Sequence, residues 1–126
     1  MSIRIISTAL APGAVGPYSQ ALKAGNFLFT SGQLGIDPAT GKLPAGIVAQ
    51  AEQSLKNVGA ILQEAGVSYD DVVKTTVYLS NMNYFGAVNS VYASFFKKNL
   101  PARSCVEIGK LPMNGDVEVE VVAYCK

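Results

Sequence analysis

Arg103 and Cys105 sit two residues apart in one stretch of strand-forming residues, and Glu118 and Glu120 sit two apart in the next. Side chains alternate between the faces of a strand, so each pair shares a face. If the turn at residues 113–116 laid these strands side by side, a guanidinium, a thiol and a carboxylate would converge. Arginine keeps its charge and grips carboxylates through a planar fork, which makes a small organic acid its natural ligand. The plainer alternative is a structural Arg–Glu pair across neighbouring strands. Cys105 invites a nucleophile reading, yet no neighbour in sequence supplies the base or cation that would make it a thiolate. A small buried hydrophobe is the simpler account of it.

Three further positions carry two readings each. Tyr18, behind Gly16-Pro17, either seals a pocket or packs a corner. Gly32, within Ser31-Gly32-Gln33 at the end of a strand, either lets bare backbone approach a ligand or merely turns the chain. Asn89 is a polar position in an otherwise apolar helical stripe, either a surface amide or a ligand contact. Gly13 and Gly16 lack the G-x-x-x-x-G-K-[ST] pattern of a phosphate loop.

Histidine is absent from the chain. Ser-His-Asp and Cys-His nucleophile pairs, a histidine base and histidine-bearing zinc sites are therefore excluded. Acid and base work falls to Asp, Glu, Tyr, Cys, Lys or bound water. Ten Lys and Arg against nine Asp and Glu leave a formal charge of +1, with no basic run longer than Lys97-Lys98, so the electrostatic footprint of a nucleic-acid binder is missing.

The 126 residues suit a single domain, 1–126, with enough interior to fold without disulfides or metal. Hydrophobic residues make up 49% and charged residues 15%, rich in apolar surface for a soluble domain, so some of that surface is expected to be buried by another subunit. No apolar run approaches the roughly 20 residues of a membrane span. The start Met-Ser-Ile-Arg lacks the apolar core of a secretory signal, so Cys105 and Cys125 are expected reduced and the protein cytoplasmic.

Positioning these residues requires an order of elements that the periodicities supply. Residues 3–6 alternate as a short strand, and two strands flank Gly25-Asn26, a turn pair of the kind that closes hairpins. Residues 32–44 read as a loop. Apolar residues from Ile47 to Ala65 recur at helical spacing until Gly66 stops them. A β-branched run over 72–79 predicts a strand, and Phe85, Val88, Val91, Tyr92 and Phe95 predict a second helix. Strands are predicted over 104–108 and 117–124. Two helices cover only one face of such a sheet, so the other face is left to solvent or to other copies of the chain.

Gly16-Pro17-Tyr18-Ser19-Gln20-Ala21, Ser31-Gly32-Gln33, Pro101-Ala102-Arg103-Ser104-Cys105-Val106-Glu107 with Leu111-Pro112, and Glu118-Val119-Glu120 follow one another in an order and spacing that resembles the RidA/YjgF family, also called endoribonuclease L-PSP, over essentially the whole chain. The resemblance implies an α+β, chorismate-mutase-like (YjgF-type) fold: a six-stranded mixed sheet with two helices on one face. It implies a homotrimer with a pocket at each subunit interface, and hydrolysis of reactive 2-imino acids (2-iminopropanoate, 2-iminobutanoate) to 2-oxo acids and ammonia without cofactor or metal. Arg103 would hold the substrate carboxylate and Glu118 would position the attacking water. Cys105 would offer backbone groups, Tyr18 and Gly32 would wall the pocket, and Phe85 and Asn89 would lie close by. The segment 97–100 is shorter than in some members and ends in Leu rather than an aromatic, which leaves the pocket's shape at that edge open. Two other readings stand beside this one: a ribonuclease or translation inhibitor, disfavoured by the balanced charge and absent histidine, and a non-catalytic trimer that binds metabolites or unfolded chains, which has no need of Glu118.

Overall fold

The computed structural model describes residues 2–126. Strand β1 (Ile3–Ile6) leads through a turn-rich stretch into the hairpin of β2 (Ala21–Ala24) and β3 (Phe27–Thr30). Gly25 takes a φ of 60° at the hairpin tip, a left-handed conformation that glycine reaches without a Cβ clash. A two-residue strand, β4 (Gln33–Leu34), follows, then helix α1 (Ile47–Glu64) and strand β5 (Val72–Leu79). Helix α2 (Phe85–Phe95), strand β6 (Ala102–Glu107) and strand β7 (Val117–Tyr124) complete the order.

The sheet runs β1-β2-β3-β7-β5-β6, with β4 also pairing β7. It is therefore seven-stranded, one more than the six expected. The addition is β4, inside a stretch read as loop, because two residues are too few to show any period. Only β5 and β6 are parallel, and α2 is the crossover that a parallel pair requires. All other pairings are antiparallel, so the sheet is mixed as expected.

β6 begins two residues earlier than the expected 104 and does not pair β7. β5 lies between them. The reason is visible in β7, whose Val117, Val119, Val121 and Ala123 are all fully buried and need sheet on both sides. β6, exposed or half-exposed at every residue, suits the edge.

Both helices pack on one face. Ala51, Leu55, Val58, Ile61 and Leu62 of α1 and Val88, Val91 and Tyr92 of α2 share one core cluster with the buried residues of β5 and β7. α1 ends where Gly66, φ 81°, donates to Gln63 O while Val67 N donates to Leu62 O, the paired closure of a Schellman motif. The opposite face carries two apolar rows fixed by strand register. Ile3, Ala24, Phe27 and Tyr124 lie in one, and Ile5, Leu22, Phe29 and Val122 in the other. Ile3 is 61% and Ile5 65% exposed, so this face is an uncovered apolar surface.

Candidate active site

The alternation that buries the valines of β7 sends Glu118 and Glu120 to the open face. Glu118 is in register with Leu34 of β4 on one side and Tyr78 of β5 on the other. Its carboxylate rests against Gly32: a Cβ built on that glycine would collide with Oε1, Cδ and Cγ of Glu118. Of the two readings of Gly32, close approach of bare backbone is the one the packing supports, although what approaches is the chain's own carboxylate. Burial raises the Glu118 pKa above the ordinary carboxylate range, and the neighbouring Glu120 raises it further.

Glu118 and Gly32 border a cavity of about 630 Å³, which Tyr18 and the apolar side chains of Val15, Ile36 and Met113 also line. Tyr18 stands on a turn closed by its own N–H donating to Gly16 O at 2.8 Å. Behind it, the buried Gln20 fastens the preceding loop: its Nε2 donates to Thr8 O (3.0 Å) and Pro12 O (2.7 Å), and its Oε1 accepts from Thr8 N (2.7 Å). A turn-rich segment with few internal hydrogen bonds thereby acquires a fixed shape. Glutamine beside Tyr18 carries no periodicity or spacing signal, and sequence reasoning did not single it out.

Arg103 is elsewhere. Its register partner in β5 is Thr75, a buried residue of the helix-covered face, so Arg103 and Cys105 rise on that face at the β6 edge. The guanidinium Nη1 donates to Asn89 Oδ1 at 2.8 Å. Its Cζ lies 4.8 Å from the Tyr92 ring centroid and 5.5 Å from that of Phe85. Phe85, Asn89 and Tyr92 stand at i, i+4 and i+7 of α2, one stripe of the helix. Tyr92 is itself fixed, with its hydroxyl 2.9 Å from Thr75 Oγ1. Asn89 is thus an arginine partner rather than a surface amide. Tyr92 and Thr75 were missed because Tyr92 reads as one more apolar residue of the core stripe.

Cys105 is half-buried and unpaired. Burial pushes its thiol pKa up, and the nearby Arg103 offsets only part of that, so the thiol stays protonated near neutral pH.

The convergence expected of Arg103, Cys105 and Glu118 does not occur within one chain, and neither does the plainer Arg–Glu pair. β5 intervenes, and the two sets of side chains leave opposite faces of the sheet. Instead there are two clusters. One joins Tyr18, Gly32 and Glu118; the other joins Phe85, Asn89, Arg103 and Cys105. Among the described residues no group of three or more Cys, Asp and Glu side chains is arranged to hold a metal ion, and no helix is long and apolar enough to cross a membrane.

Residues 8–125 match the family described as endoribonuclease L-PSP. A RutC family protein of Haemophilus influenzae is 52% identical over 130 residues, covering 100% of both chains. The 2-iminobutanoate/2-iminopropanoate deaminase of Mus musculus is 48% identical over 121 residues, 95% of this chain and 90% of the mouse chain. Among solved structures, E. coli TdcF with bound serine superposes with a TM-score of 0.95 at 43% identity, covering 98% of this chain and 99% of that one. These matches span both clusters, and the chain belongs to the RidA/YjgF (endoribonuclease L-PSP) family.

Proposed function

We propose that the protein is an imine deaminase that hydrolyses 2-imino acids such as 2-iminopropanoate and 2-iminobutanoate to 2-oxo acids and ammonia. The observation that carries this reading is Glu118, a half-buried carboxylate with a raised pKa, backed by Gly32 at the border of an apolar cavity. A base whose pKa is moved towards working pH is suited to taking a proton from water. The deaminase name borne by the mouse relative and by one in E. coli K12, 46% identical over 123 residues, supports the same reaction. So does the serine bound to TdcF, an amino acid of similar size to the substrate.

The chemistry is balanced by water alone. The protonated imine carbon is already electrophilic. Water oxygen bonds to it as Glu118 accepts the water proton, and the C=N pair moves to nitrogen to give a carbinolamine. Glu118 returns the proton to nitrogen, the C–N bond breaks as the hydroxyl proton passes to Glu118 and the carbonyl forms, and the departing ammonia takes that proton away as ammonium, leaving Glu118 ionised. Arg103, oriented by Asn89 and stacked on Tyr92, is suited to hold the substrate carboxylate. Cys105 contributes backbone groups and packing.

Strand spacing alone puts the Cα atoms of Arg103 and Glu118 roughly 14 Å apart, on opposite faces, too far for one small substrate to touch both. A homotrimer whose interface joins the arginine cluster of one subunit to the glutamate cluster of the next resolves this. The uncovered apolar rows of the open face supply the surface to assemble it. Two cysteines without a disulfide suit a reducing compartment, for which we propose the cytoplasm.

Purified protein incubated with freshly generated 2-iminopropanoate and 2-iminobutanoate should release 2-oxo acid and ammonia faster than buffer does. Turnover no faster than buffer would leave a non-catalytic binder. Ribonuclease chemistry calls for two proton-transfer groups around one phosphate with cationic help, and this chain has no histidine and a formal charge of only +1.

A further inference from the structure

The buried face of α1 is apolar except along one line. Gln50, Ser54 and Asn57, at i, i+4 and i+7, are 6%, 0% and 0% exposed. Polar groups taken out of water cost free energy unless paired, and all three are paired. Ser54 Oγ donates to Gln33 O at 2.6 Å. Asn57 Nδ2 donates to Leu34 O at 3.0 Å and to Ile36 O at 2.9 Å, while its Oδ1 accepts from Gln53 Nε2 at 2.8 Å. Gln50 Nε2 donates to Pro44 O at 3.1 Å, and its Oε1 accepts from Asp116 N at 2.9 Å, one residue before β7 begins.

Apart from Pro44, each of these partners outside the helix lines the Glu118 cavity or lies on the approach to β7. Gln33 and Leu34 have β7 along one edge and, among the described residues, no strand along the other. Helix side chains meet their carbonyls where a neighbouring strand would. Gly35 makes the approach possible, since a Cβ there would strike the backbone of Gln50. Gly32, the surface on which the Glu118 carboxylate rests, directly precedes Gln33 and Leu34, whose carbonyls α1 holds.

We infer that Gln50, Ser54 and Asn57 are positioning residues for Glu118: by fastening the carbonyls of Gln33, Leu34 and Ile36 to α1, they hold Gly32 and Leu34 against β7 and keep the carboxylate in its half-buried seat. The catalytic consequence rests on Glu118 acting as the base. The geometric claim stands without it.

The test uses the full assembled protein and two readouts. Side-chain ¹³C shifts of labelled glutamate, with Glu118 assigned by its loss in Glu118→Gln, report the titration of that carboxyl; steady-state kinetics on 2-iminobutanoate report function. The titratable groups around Glu118 within its own chain are Glu120 on the same strand, Tyr78 on β5 and Tyr18 across the cavity; the trimer reading adds Arg103 of the next subunit, and none of these is altered by the variants. Ser54→Ala removes the donor to Gln33, and Ser54→Thr keeps it. In Ser54→Ala the Glu118 titration should move down towards the ordinary carboxylate range as water enters, and kcat should fall about 10-fold, the scale of a small misplacement of a reacting group. KM should stay within about twofold. Ser54→Thr should restore both. Should Ser54→Ala fail to fold, Gln50→Met, near-isosteric but unable to reach Asp116 N or Pro44 O, should move the titration in the same direction. A folded Ser54→Ala or Gln50→Met protein with an unmoved Glu118 titration overturns the inference. Wild-type protein without deaminase turnover defeats the deaminase reading instead, and the titration still decides the geometric claim.

Discussion

Arg103 is level with Thr75 across one strand boundary, and Thr75 is level with Val121 across the next, so Arg103 and Glu118 are separated by a whole strand and by the thickness of the sheet. Under the interface reading, each subunit gives half of two different sites. Arg103→Lys and Glu118→Gln, each strongly impaired alone at substrate concentrations well below KM, should then complement when assayed under that condition. After unfolding and refolding together in equal amounts, about one quarter of wild-type activity should return, because every mixed trimer rebuilds one intact site. Mixtures that stay as impaired as their parents, with mixed trimers verified by mass, would show that Arg103 and Glu118 do not meet in one site across the interface.

Arg103→Lys keeps the charge but loses the fork, the bond to Asn89 and the flat stacking on Tyr92. It should cost about 2–4 kcal/mol in kcat/KM, mostly through KM, as expected when a charge-assisted contact is truncated. Initial rates over a range of 2-iminobutanoate concentrations check this, and wild-type kinetics in a folded variant would remove Arg103 from the site.

Glu118→Gln keeps the shape and cannot take a proton, so kcat should fall by roughly 10²–10⁴ while affinity for 2-oxobutanoate is nearly unchanged. Its effect on stability has a definite sign. The folded-state pKa of Glu118 is raised, so the neutral form is the one folding favours, and that stability is lost as pH rises through the folded value. Gln carries no such penalty. The variant should melt higher than wild type at neutral pH, with the gain vanishing below about pH 4, where glutamate is neutral even in the unfolded chain. Paired melting curves across pH test it, and an equal gain at every pH would contradict the burial argument.

Gly32→Ala places a methyl where the Glu118 carboxylate now lies, against a side chain rather than backbone. The fold should survive while the carboxylate is displaced, lowering kcat by about 10-fold or more. A folded variant with wild-type kcat would show that the carboxylate does not depend on this seat.

Cys105→Ser should keep most of the activity, since a thiol whose pKa is raised is no nucleophile at neutral pH. The half-buried hydroxyl should cost about 1 kcal/mol of stability. Inactivity of a folded Cys105→Ser protein, or an adduct on Cys105 during turnover, would restore the covalent mechanism.

The long periodic elements were legible: α1 up to Gly66, β5, α2, β7 and the Gly25-Asn26 hairpin follow from spacing and turn chemistry. Strand order was not, because periodicity reports which face a residue takes and says nothing of which neighbour its strand chooses. That gap produced the expected meeting of Arg103 with Glu118, which the intervening β5 forbids. β4 escaped notice because two residues show no period, and what holds them, β7 on one side and Ser54 and Asn57 of α1, lies far off in sequence. Arg103, Asn89, Phe85, Tyr18, Gly32 and Glu118 were named before their surroundings were known. Tyr92 and Thr75, which hold the surroundings of Arg103, and Gln20, which holds those of Tyr18, have side chains that read as ordinary core or loop.

The central position of β7 bears on how the chain is made. β7 pairs with β3, β4 and β5, yet follows all three in the sequence. During synthesis α1, β5 and α2 emerge with no strand to fill the slot between β3 and β5, and the two halves of the sheet have no ladder in common until residues 117–124 clear the ribosome. Folding is then a late, nearly simultaneous event governed by long-range pairing. A nascent chain stalled before Val117 should be open to protease throughout, and a nonsense codon anywhere upstream of β7 should yield degradation rather than a partly active fragment.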